Sequence, residues 1–136
     1  MTGRLALCIL PALAATLILG AGPDPAEEDG PALAHMVFFT LKDRSKEARE
    51  DFAASCRKYL AGHEGAVYFS VGVIAEDVEE PVSVKDFDVA LHVVFEDKGA
   101  KQTYLDHPRH TQFVEENRAR FAQVRVFDSY LTRPPR

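Results

Sequence analysis

The 136-residue chain has no tryptophan, only two cysteines, and fewer basic than acidic side chains. Each shortage removes a class of function. With 16 Lys and Arg against 21 Asp and Glu, the formal charge is −5. A surface that binds nucleic acid needs a basic face to displace counterions, so no nucleic-acid partner is expected. The longest apolar run, Leu5 to Leu19, contains Pro11 and falls short of a bilayer span, which takes ~20 residues. The chain has no glycine-rich phosphate loop, no nucleophile elbow and no zinc-protease motif. His107 and His110 are three apart with Pro108 between them, and no second pair has zinc-site spacing. Neither a cofactor nor a metal is therefore expected. What is present, 27% charged and 46% hydrophobic residues, fits one globular domain.

The N-terminus reads as an address. Arg4 precedes the apolar run, and Gly20, Ala21 and Gly22 follow it. This is the layout of a secretory signal over residues 1–22, so export to the periplasm or the medium is expected. A retained anchor is the alternative; after cleavage no stable membrane association is expected. Loss of Arg4 takes the charge from −5 to −6 and leaves Cys56 as the single thiol. No internal disulfide is then possible, and the core must carry stability. Residues 23–34 hold three prolines and four acids and read as a solvated linker.

One folded unit is expected over residues 35–132, with a disordered tail at 133–136. His35 to Leu41 is rich in aromatic and β-branched residues and predicts a strand. Ser45 suits a helix N-cap, and Ala48, Phe52, Cys56, Tyr59 and Leu60 recur on one helical face. Cys56 on that stripe reads as a buried, inert thiol. Strands are predicted over 66–75, 86–96 and 124–131, and helices over 98–105 and from Pro108 onward. Pro108 starts the last helix because proline forces its predecessor into extended geometry. His110, Phe113, Val114, Asn117 and Phe121 share a face of it. The order β-α-β-β-α-β, with the second helix broken, is the split βαβ or ferredoxin-like pattern: an antiparallel four-stranded sheet with helices on one face.

Alternation then assigns the sheet faces. His35, Val37, Phe39 and Leu41 share one face of the first strand; Met36, Phe38 and Thr40 share the other. On the third strand Phe87, Val89, Leu91, Val93 and Phe95 oppose Asp86, Asp88, Ala90, His92 and Val94. Helices can cover one face only. The other would leave Phe38, Tyr68 and Ile74 as a patch larger than monomers usually expose. A homodimer through that open face, with Asp88 and His92 in the interface, is the expectation.

The run His35-Met36-Val37-Phe38-Phe39, the segment Tyr104-Leu105-Asp106-His107-Pro108-Arg109-His110, Phe113-Val114 and Val126-Phe127-Asp128 resemble the stress-responsive A/B barrel (Dabb) family. The resemblance covers residues 35–131 and implies a dimeric α+β barrel. It implies little chemistry. One plant member is a polyketide cyclase that works without cofactor or metal. Its catalytic tyrosine and histidine match Tyr104 and His110, and a histidine lining its cavity matches His35. This chain has Val89 where that enzyme has a further pocket histidine.

The residues also suggest the chemistry directly. His35 and His110 lie on apolar faces with Val37, Phe39 and Phe113. If those faces meet, His35, His110, Tyr104 and Phe113 would line a pocket for a small apolar or aromatic molecule, and the resemblance implies that Val89 lines it too. A neutral imidazole there accepts a proton from beside a carbonyl, and a tyrosine hydroxyl stabilises the enolate. His110 and Tyr104 are the expected catalytic pair. The competing reading is structural, with the histidines bonded only to backbone and the dimer itself the product of the fold.

Overall fold

A computed structural model describes residues 30–132. The expected signal, most of the linker and the tail lie outside them. The elements are β1 (Leu33–Leu41), α1 (Lys46–Leu60), β2 (Ala66–Val73), β3 (Val89–Phe95), α2 (Lys98–Asp106), α3 (Pro108–Asn117), a 3-10 turn (Arg118–Arg120) and β4 (Phe121–Tyr130). The four strands form an antiparallel sheet in the order β2-β3-β1-β4. This is the ferredoxin-like α+β fold.

Local chemistry sets the helix ends. The Ser45 hydroxyl accepts from the Ala48 amide at 3.2 Å, which satisfies an orphan donor of α1. His107 ends α2 and caps α3; its Nδ1 accepts from the Arg109 amide at 3.1 Å. Pro108 holds it extended and opens α3 at the position where proline fits best. Gly65, with φ of 74°, begins the turn into β2 beneath α2; a Cβ there would sit 2.5 Å from Ala100 Cβ.

The helices cover the odd-numbered face of β1. Val37, Phe39 and Leu41 pack there with Val89, Leu91 and Val93 against Phe52, Cys56, Leu60 and Phe113. Phe39 meets Phe52 at 4.9 Å between ring centroids, and Phe52 meets Phe113 at 5.8 Å. Burial pushes the Cys56 thiol up to about 12, so it is un-ionised and inert. Val114, expected on this buried face, is exposed instead.

The start of β3 departs from simple alternation. The ladder begins at Val89 rather than at residue 86. Phe87 turns to the open face and packs on Phe38 at 5.1 Å. Asp88 turns the other way and is fully buried. Its carboxylate accepts from the Leu41 amide at 2.9 Å, from Arg44 Nε at 3.0 Å and from Arg49 Nε at 2.9 Å. Burial pushes this carboxyl up, but those donors outweigh it and hold it below the usual range. Asp88 and His92 therefore do not share a face, and Asp88 lies outside the open surface. The two guanidiniums are the reason, since a carboxylate facing Phe38 would be desolvated with no partner. Ile74 is also buried rather than open, its amide bonded to the Asp88 carbonyl. β1 begins at Leu33, two residues earlier than expected, because Leu33 and Ala34 pair with β3 and β4 and are buried.

The opposite face is uncovered. Phe38 sits at its centre, with Phe127 5.7 Å and His92 6.2 Å from its ring. Tyr68 and Phe127 are each more than half exposed. Phe38, Val84, Phe87, Arg125 and Phe127 line a shallow hollow of about 290 Å³ on it.

Candidate functional site

At the α2 end of the helix–sheet layer the packing changes character. Tyr104, on the inner face of α2, is 1% exposed. Around its ring lie His110 at 4.8 Å, His63 at 4.9 Å, Phe95 at 5.0 Å and His35 at 6.2 Å, centroid to centroid. The loop after α1 supplies His63, β1 supplies His35, and the first turn of α3 supplies His110. Burial pushes the Tyr104 hydroxyl well above the ordinary phenol range, so it remains a neutral donor.

Hydrogen-bonding partners set three of the imidazole tautomers. His35 Nδ1 is 2.7 Å from Asp128 Oδ1, so Nδ1 carries the proton and Nε2 keeps its lone pair. His63 Nε2 is 2.9 Å from the Tyr59 carbonyl and must be the donor. His107 Nδ1 accepts from an amide and is unprotonated. Burial lowers the proton affinity of His35 even against the Asp128 charge. Burial does the same for His63 and His110, and His110 is further opposed by His35 and His63. All three are therefore neutral acceptors at neutral pH.

Asp128 links this group to the surface. Its second oxygen is 2.5 Å from Lys101 Nζ on α2. Burial pushes the carboxyl up, but the bonds from Lys101 and His35 outweigh it, and it stays ionised. Lys101 and Asp128 sit in a cleft of about 240 Å³ between α2 and the end of β4. Leu33, Leu105 and Tyr130 give that cleft an apolar side, and Lys98 and Gln102 join Lys101 on the α2 side. A relay thus runs from the cleft through Asp128 to a buried imidazole with a free lone pair. An imidazole held by a carboxylate in this way has the arrangement that general-base chemistry uses.

The structure brings His35, His110 and Tyr104 together on one side of the sheet. Val89 and Phe113 are packed into the core at 0% and 3% exposure. Neither they nor His35, Tyr104 and His110 line the cleft. Sequence reasoning missed Asp128, Lys101 and His63. Asp128 had a usable signal, since alternation from Val124 and Val126 puts it on the helix-side face. Lys101 and His63 are fixed only by tertiary packing. No group of three or more His, Cys, Asp or Glu placed to hold a metal occurs among the described residues. No helix among them is long and apolar enough to cross a membrane.

Comparison with known proteins now adds the family. Residues 33–131 match the Stress Responsive A/B Barrel Domain, Dabb. The chain belongs to the Dabb family. A Dabb protein with a ferredoxin-like fold from Mesorhizobium loti is 24% identical; the match covers 76% of this chain and 99% of that one, with a TM-score of 0.64. A dimeric ferredoxin-like protein of unknown function from Thermobifida fusca is 16% identical over 75% and 92% of the two chains, TM-score 0.62. A hydroxynitrile lyase from Passiflora edulis is 15% identical over 78% and 98%, TM-score 0.61. At these identities the likeness to the solved structures establishes the fold. No curated protein matches the chain. The Dabb match takes in β1 through the end of β4, so every side chain of the histidine–tyrosine group lies inside the family domain.

Proposed function

We propose that this Dabb protein is exported, forms a homodimer through its open sheet face, and binds a small, largely apolar carbonyl compound in the cleft between α2 and β4. The cleft itself carries the ligand reading: Leu33, Leu105 and Tyr130 give it an apolar side, Lys101 and Asp128 a polar edge, and Asp128 ties it to the buried His35 behind. Three observations support the dimer. The open face displays Phe38, Phe127 and Tyr68. Phe38, Val84, Phe87, Arg125 and Phe127 form an apolar hollow on that face for a second copy to fill. The Thermobifida fusca protein of the same fold is dimeric. Export rests on the charged, apolar and small-residue layout of residues 1–22.

A second reading follows from the tautomer of His35. With Nδ1–H given to Asp128, Nε2 keeps its lone pair, and a carbonyl compound that passes Asp128 from the cleft to the buried His35 would meet an acceptor for the proton on its α-carbon. The Tyr104 hydroxyl or an imidazole N–H would then hold the enolate oxygen. This is cofactor-independent acid–base chemistry. His35 is oriented by Asp128, whereas His110 has no carboxylate partner, which favours His35 as the base.

Phenylacetone, an aromatic ketone with exchangeable α-protons, separates the two readings. Binding raises the unfolding temperature by mass action, and about 2.7 kcal/mol of stabilisation is expected at 100 times Kd. Catalysed deuterium exchange into its α-carbons, lost in His35→Ala, supports the enzyme. Binding without exchange leaves the binding protein alone, and no thermal shift with this or related aryl ketones removes the ligand reading.

A further inference from the structure

The open face carries one imidazole, and it stands near the middle. His92 lies on β3, opposite Met36 of β1 and opposite Ser70 of β2 in the ladder register. The Phe38 ring is 6.2 Å away and tilted 55°. The side chain is already half-buried in the single subunit. None of these neighbours bears a charge. From the other elements of the face, β2 presents Tyr68 and β4 presents Arg125 and Phe127. The charged members, Arg125 and Asp86, are bonded to each other at 3.0 and 2.5 Å. Glu96, of the same parity as His92, is exposed beyond the end of β3, about 13 Å along the strand direction. Under a twofold contact the covering copy brings the same set, in which Asp86 is bonded to Arg125 and Glu96 lies beyond the strand end, so the centre of the face offers a cation no free carboxylate.

Neutral and charged imidazole behave differently there. A neutral ring beside Phe38 and Met36 packs as a half-polar aromatic. A protonated ring between two apolar layers is a desolvated, unpaired cation, which proteins avoid. Arg125 does not pose this problem, because Asp86 neutralises it at any pH where carboxylates are ionised.

We propose that the open sheet face is a proton-gated self-association surface: neutral His92 admits the second copy, and protonated His92 excludes it. The inference rests on the homodimer reading above and adds a regulator to it. Dissociation takes up one proton per subunit, two per dimer. The dissociation constant then rises by up to ~100-fold per pH unit below the range in which an imidazole titrates.

Sedimentation velocity on the full chain, at constant ionic strength, tests this between about pH 8 and about pH 5, where free histidine changes charge. Wild type is expected to be a dimer at the higher pH and to lose at least ~100-fold in affinity at the lower one. His92→Phe and His92→Gln, which cannot be charged, are expected to stay dimeric at both. A wild-type constant that moves less than ~3-fold overturns the gate and leaves the homodimer standing. Acid dissociation that persists in both variants also overturns it and points to the buried histidines under the helices. A monomer at every pH removes the homodimer reading and the gate together. Near-UV circular dichroism at each pH identifies unfolding; unfolding shared by wild type and both variants counts against the gate.

Discussion

At one end of the helix–sheet layer Phe39, Phe52, Phe113 and Phe121 pack ring on ring. At the other, Tyr104 is surrounded by three imidazoles, one of them tied to an ionised carboxylate. Both ends are equally dry around their central residues, with Phe52 at 0% and Tyr104 at 1% exposure. Only the first end is built as stability alone would require. A phenyl ring fills space without polar atoms to satisfy, whereas each buried imidazole must find partners or lose proton affinity. On the proposed reading the Tyr104 end is the working one, and Asp128 is the residue that joins it to the cleft.

The comparison can be broken in four ways. The largest effect belongs to the phenyl end. Phe52→Ala is expected to cost about 3–5 kcal/mol in chemical denaturation, because it removes a ring from a filled core. A loss under ~1 kcal/mol would mean the rings are not the foundation of the fold. Acid comes next and acts on the histidine end. His35, His63 and His110 all hold protons more weakly when folded than when unfolded. The unfolded chain therefore binds more protons below its ordinary histidine range, ~6.5, and stability falls as the pH drops through and below that value. Stability that stays flat from about pH 8 to about pH 5 would show these rings to be solvated.

Asp128→Asn is expected to cost at most about 1 kcal/mol, since the carboxylate side chain is 38% exposed and solvent screens its pairs. The same change is expected to lower α-proton exchange at least tenfold by releasing His35 from its tautomer, read by deuterium incorporation. Tyr104→Phe is the mildest for stability. Among the described residues the hydroxyl has no bonding partner in the sheet or helices, so the ring alone matters and a change within about 0.5 kcal/mol is expected. A larger loss would reveal a structural hydrogen bond and weaken the case for a free donor.

Most of the fold was legible because hydrophobic period and turn chemistry are local. Ser45 and Pro108 mark boundaries, and the alternation of β1 grouped His35 with Val37, Phe39 and Leu41. The start of β3 was not legible: Asp88 is turned inward by Arg44 and Arg49, more than thirty residues away. For the site, His35 and His110 were picked out by their apolar faces, and Tyr104 by the resemblance to the family. Lys101 and His63 were not, since nothing in their neighbours says which loop or helix turn reaches β4. Val89 and Phe113 share those faces but pack as core, because a face assignment does not distinguish a wall from a filling.

The most direct test is a ¹H–¹⁵N NMR titration with phenylacetone. The account predicts shifts concentrated at His35, Tyr104, Leu105, Asp128 and Tyr130, with Phe52 and Phe113 quiet. Perturbations centred instead on Phe38 and Phe127, or spread evenly over the domain, would contradict it.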